Sequence, residues 1–156
     1  QHARRLLDGG GYEEVASASA TSLPFADATF DLAIAFMSLH DMDDPAAAVE
    51  EAARVLSSGG ALCVAIVHPL NRPPAVLEDY FTPHRVANTI ERDGVAMTFE
   101  EIARPLETYA AAMTTAGFAI EELKEPRPEE PLRESEPLAA ARRRPYFLHI
   151  RCRLQH

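Results

Sequence analysis

Residues 29–70 read TFDLAIAFMSLHDMDDPAAAVEEAARVLSSGGALCVAIVHPL, and this stretch decides the fold. Phe30 to Phe36 is nearly all apolar, the pattern of a strand covered on both faces. Asp43 and Asp44 offer an N-cap, and Pro45 suits the first helical position. Val49, Ala52, Ala53 and Leu56 recur at helical spacing as one apolar stripe. Glu50 and Arg54 form an i,i+4 pair on the outer face. Gly59-Gly60 stops the helix, and Ala61 to Val67 is a second buried strand. Joined by a right-handed crossover, the two strands lie parallel. His40 and His68 then fall just past the carboxyl ends of these strands, the edge where open α/β sheets bind ligands.

Upstream, Ala3 to Leu7 reads as the last turns of a helix stopped by Gly9-Gly10-Gly11. Gln1 begins inside that helix, so a further segment is expected before it. Glu14 to Ala20 reads as a short strand, and Leu23-Pro24-Phe25 as a turn with apolar anchors. Downstream the pattern breaks between Pro69 and Glu101, with Arg72-Pro73-Pro74 as the breaker and a short helix near Leu77, Tyr80 and Phe81. An insert over residues 69–104, above the ligand edge, reads either as a lid or as a plain surface excursion. Pro105 opens a helix whose buried stripe is Leu106, Tyr109, Met113 and Ala116, ended by Gly117. Ala119 to Leu123 reads as a strand, and Glu125 to Pro137 as a loop rich in Pro and Glu. Leu148, Ile150, Cys152 and Leu154 alternate with His149, Arg151 and Arg153, which predicts a strand with one apolar face.

The 156 residues suffice for one domain, 1–156, with a real core. No run is long and apolar enough to span a membrane, and the first residues do not read as a secretory signal. A net charge of -9 argues against nucleic acid as a partner. Lys124 is the sole lysine, which reads as a bacterial coding bias. Cys63 and Cys152 lie in strand patterns and are expected to be buried free thiols of a cytoplasmic protein.

No G-x-G-x-x-G follows a strand, and there is neither a G-x-S-x-G elbow nor a P-loop. Nicotinamide chemistry, serine hydrolysis and P-loop chemistry therefore have no support. Asp41, Asp43 and Asp44 read as caps, and no matching His or Glu set accompanies them, so no metal is expected. His40 and His68 are the candidate ligand contacts at that edge.

The order LPF…FDLAIAFMSLHDMDDP…EEAARVLSSGGALCVAIVHP resembles the middle of a class I S-adenosylmethionine-dependent methyltransferase acting on small molecules. ARPLETYAAAMTTAGFAIEELKEPRP and RRRPYFLHIRCRL resemble the back half of such enzymes. The resemblance implies a Rossmann-like three-layer α/β fold, with a mostly parallel sheet and an antiparallel last strand. It also implies S-adenosylmethionine as cofactor and a small-molecule acceptor as substrate. Carried over, Ser19 stands where an acid commonly holds the adenine amino group, and Ala20 and Thr21 adjoin it. Phe36, Met37 and His40 lie along the cofactor, and His68, Tyr80 and Arg104 where substrate contacts fall. His40 and His68 are the catalytic candidates. The family's first strand with its glycine-rich loop, and its second strand, are not in the sequence, which implies an N-terminally truncated domain. The strand edge this leaves unpaired is expected to rearrange or to form a homodimer. A non-catalytic remnant acting as a binding protein is the alternative.

Overall fold

The computed structural model describes residues 16–92, 94–127 and 143–156. Four strands form one sheet: β1 (Phe30–Phe36), β2 (Leu56–Val67), β5 (Phe118–Lys124) and β6 (Phe147–Leu154), in the order β1-β2-β6-β5. β1 and β2 run parallel, and β6 lies antiparallel between β2 and β5. The parallel pair and the antiparallel last strand agree with the sequence reading. The anticipated helix at Ala3–Leu7, and most of the loop after Glu125, lie outside the described residues.

Helix α1 (Pro45–Val55) begins as its residues dictate. The Asp44 carboxylate accepts from the Ala47 amide at 3.0 Å, and Pro45 occupies the first turn. The helix ends earlier than expected, at Val55, because β2 already starts at Leu56. Gly59 and Gly60 sit inside the strand. β1 pairs Phe30 with Leu56 and then Leu32 with Ala61, so the intervening β2 residues bulge out. Gly59 takes φ +76°, and a Cβ on Gly60 would stand 2.8 Å from the Ser57 carbonyl oxygen. The glycines thus serve a bulge and not a helix stop.

Arg54 does not pair with Glu50. It donates to Glu51 one turn earlier, to Asp27, and to the carbonyls of Leu23 and Phe25. Glu51 also accepts from the Leu23 amide at 2.7 Å, so the pair ties loop 23–27 to α1. This half-buried carboxylate is held down to about 2 by the Arg54 guanidinium and the Leu23 amide.

The core lies on one side of the sheet. Val49 of α1, Tyr109 and Met113 of helix α3 (Leu106–Thr115), and Leu62, Ile66, Leu148 and Ile150 of the strands are all buried there. The alternation of β6 is realised as read, with its even residues buried. β1 departs from expectation. Leu32, Ile34 and Phe36 are 52%, 67% and 72% exposed, because among the described residues the helices cover only the opposite face. Among the described residues, β1 is the outermost strand of the sheet. Residues 16–20 add no strand beside it, contrary to the reading of Glu14–Ala20; only an isolated bridge joins Ser19 and Ser22. Cys63 is only half-buried on the open side, whereas Cys152 is buried and donates to the Met113 thioether.

The insert after β2 is ordered into a short helix α2 (Pro74–Leu77) and a hairpin of β3 (His84–Arg92) and β4 (Val95–Ala103). Gly94, at φ +76°, lies in the two-residue connection.

Candidate functional site

β1 delivers its chain to the rim at Met37, whose amide still bonds the Ala65 carbonyl at 2.8 Å. Met37 then turns into the left-handed region, φ +49°, a conformation that costs a non-glycine residue about 1–3 kcal/mol. This turn feeds a single 3-10 turn, Leu39–Asp41, which buries Leu39 and His40. Ala20, Leu23, Ser38, Leu39 and Met42 line one cavity of about 170 Å3 between the rim and α1. Ala20 and the Ser38–Leu39 loop after β1 thus meet at one cavity. Ser19 and Thr21 are exposed and bond each other, hydroxyl to hydroxyl at 2.9 Å. The Phe36 side chain goes elsewhere: it lines a separate cavity of about 360 Å3 on the open sheet face, with Ile34, Cys63 and His149.

His40 is 4% exposed, and its Nδ1 has no hydrogen-bond partner. Its Nε2 stands 3.5 Å from the Asp41 carboxylate. Burial pushes its pKa down, against the pull of Asp41 and Glu101 and with a push from Arg72. Burial thus favours the neutral ring, and the Asp41 carboxylate nearest Nε2 favours the tautomer protonated there, which leaves the lone pair on Nδ1.

His68, also buried, accepts the Leu70 amide on Nδ1 at 3.0 Å and faces Glu125 through Nε2 at 3.1 Å. Burial lowers its pKa, opposed by Glu125. Both of its nitrogens are engaged, and together they pin the exit of β2 to the exit of β5. Arg72 lies close enough to both histidines to depress each. Its Nη1 bonds Glu101 at 2.8 Å in a buried pair.

Arg104 is buried and spends its guanidinium on the 3-10 turn. Its Nη2 donates to the carbonyls of Met42 and Asp43, both at 2.8 Å, and Nη1 to His40 at 3.5 Å. Tyr80 accepts the Leu106 amide at 2.8 Å and so caps the first turn of α3. Arg72 and Glu101 are the two buried charges that the sequence reading did not single out. A charged residue on each side of a Pro-rich break gives no pairing signal when 29 positions separate the partners.

His40, Asp41 and Glu101 present donor atoms within 4.8 Å of one another. The Arg72 guanidinium bonded to Glu101 opposes a cation there.

Residues 1–64 match the family model described as "Methyltransferase domain". A 48-residue stretch is 52% identical to the O-methyltransferase resE of Aspergillus sclerotiorum, covering 31% of this chain and 18% of that protein. The chain thus spans less than a fifth of this curated relative. Among solved structures, a candidate S-adenosylmethionine-dependent methyltransferase from Listeria monocytogenes superposes with TM-score 0.69 at 17% identity, over 89% of this chain and 68% of that one. An S-adenosylmethionine-dependent methyltransferase from Mesorhizobium loti gives 0.64 at 25% identity, over 87% and 67%. The [4+2]-cyclase SpnF gives 0.57 at 22% identity, over 90% and 56%. Residues 1–64 thus resemble a methyltransferase domain, and the fold of the chain is that of S-adenosylmethionine-dependent methyltransferases. Among the described residues, no helix is long and apolar enough to cross a membrane.

Proposed function

We propose that the chain takes part in methyl transfer from S-adenosylmethionine to the hydroxyl of a small-molecule acceptor. The observation that carries this reading is His40: a buried, neutral imidazole with an unpartnered Nδ1, one residue beyond the cavity shared by Ala20 and Leu39. The lining of that cavity fits an adenine ring, being almost wholly apolar with the Ser38 hydroxyl at its edge. Ser19, Ala20 and Thr21 would meet the base, and Met37 the methionine part.

S-adenosylmethionine, when bound, supplies a methyl group on a sulfonium that departs as a neutral thioether. His40 Nδ1 would take the proton of the acceptor's hydroxyl as that oxygen is methylated. Asp41, beside Nε2, stabilises the imidazolium that results. Most of the rate comes from holding acceptor and donor in line in a site without water. His68, Tyr80 and Arg104 shape the acceptor side by fixing the β2 exit, α3 and the His40 turn. The insert 69–104 covers the acceptor. Nδ1 is shielded from water, so acceptor entry requires the groups around it to move.

The [4+2]-cyclase of the same fold shows that architecture alone does not set the chemistry; the buried base favours transfer to oxygen. We read the setting as cytoplasmic and bacterial, with pairing of two copies through the edge of β1 that no described strand covers. The test is transfer of a labelled methyl group from S-adenosylmethionine to a phenolic acceptor. His40→Ala should lose at least 100-fold in turnover with unchanged S-adenosylhomocysteine affinity. Equal turnover in the variant overturns the assignment.

A further inference from the structure

We infer that one face of the β3–β4 hairpin seats the apolar body of the acceptor, which is therefore an elongated lipophilic molecule with its hydroxyl at one end. This rests on the methyl-transfer reading above. Side chains two apart on a strand share a face, so Val95, Met97, Phe99 and Glu101 form one row. The inner end of that row is buried. Glu101 is 8% exposed, bonds Arg72, and has its carboxylate within 4.8 Å of the His40 ring nitrogen. The outer three are bare: Phe99 is 51%, Met97 43% and Val95 59% exposed. The row therefore runs from the reacting end outward, over about 20 Å at the usual strand rise.

The opposite face of the hairpin is different. Thr89 and Thr98 bond each other there at 3.0 Å, beside exposed Glu91 and Glu100. On β4 the outer three positions of the Val95–Glu101 row are apolar and exposed, so a partner meets that row. That partner is small. Three side chains offer a few hundred Å2, below the roughly 800 Å2 per side of a stable protein interface. Continuity with the buried Glu101–Arg72 pair places its polar end at His40.

The test uses the 156-residue chain and the series 4-methylphenol to 4-octylphenol, with affinity measured by calorimetry in the presence of S-adenosylhomocysteine. The expected result is a two- to fourfold gain in affinity per added methylene. In the double variant Met97→Ser/Phe99→Ser this dependence on chain length flattens, while the circular dichroism spectrum and the S-adenosylhomocysteine affinity stay unchanged. A slope that persists in the variant, or no slope in the parent chain, overturns the proposal. So does light scattering that shows a dimer dissolved by the same substitutions, since the row is then a protein contact. A slope without any S-adenosylhomocysteine affinity upholds the apolar seat and overturns the methyl-transfer reading.

Discussion

The Arg104 guanidinium donates to the Met42 carbonyl at 2.8 Å, a bond made across 62 residues of chain. With its companion bonds to Asp43 and His40, it ties the foot of the insert hairpin to the turn that carries the candidate base. Arg104 is thus a positioning residue for His40. Arg104→Ala should cost about 2–4 kcal/mol, since it strips charged hydrogen bonds from buried carbonyls. Arg104→Lys should recover part of the stability but not the bonding to three carbonyls. Calorimetric melting checks the stability. A shift in the pH–rate profile of Arg104→Lys separates positioning from mere support, because a structural role moves the melting temperature alone.

Arg72 and Glu101 are both buried and joined. Removing one charge of such a pair strands the other, at about 3–5 kcal/mol. Glu101→Gln should therefore destabilise more than the double change Arg72→Met/Glu101→Leu. Chemical denaturation of the three variants reads the order. A double variant as unstable as the single one would show that shape, and not stranded charge, sets the cost.

His40 and His68 both have folded pKa values pushed below the ordinary histidine value by burial. Below that ordinary value the unfolded chain binds more protons than the folded one, so stability falls as the pH drops. It is fully present above about pH 6.5 and declines toward the depressed folded values. Each histidine can contribute up to about 1.4 kcal/mol per pH unit in that window. Melting temperatures from pH 8 to pH 5 should fall, and His40→Gln should fall less steeply. An unchanged slope in that variant would mean His40 titrates normally.

The β2 bulge makes a second kind of prediction. Gly60→Ala forces a Cβ to 2.8 Å from the Ser57 oxygen, so the backbone must shift, at about 1–3 kcal/mol. Gly59→Ala meets open space and carries only the left-handed penalty of roughly 1–2 kcal/mol. Urea unfolding of both variants should show Gly60→Ala as the less stable.

The βαβ unit was legible because its signals are local: the Asp44 cap, Pro45, and the apolar runs of β1 and β2. The last strand was legible from its alternation. The hairpin was not foreseen, although Gly94 follows an Asp between strands and Val95, Met97 and Phe99 alternate. Pro73 and Pro74 break the pattern upstream, and the hairpin that follows carries no strong turn dipeptide other than Asp93-Gly94. Arg54 chose Asp27 and Glu51 over Glu50 because the loop 23–27 folds back on α1, which no helix rule foresees. The engagement of His68 by Glu125, 57 positions on, is equally non-local. The open face of β1 was hidden for a related reason: an apolar strand reads the same whether one or two of its faces are covered.

The central claim is that Ala20 and the Met37–Leu39 turn form one cofactor rim beside His40. Its most direct test is amide chemical-shift mapping of the labelled chain during titration with S-adenosylhomocysteine. The account predicts saturable shifts at micromolar ligand, shared by Ala20, Met37, Ser38 and Leu39. Shifts confined to the open-face residues Phe36, Cys63 and His149, or none at millimolar ligand, would contradict it.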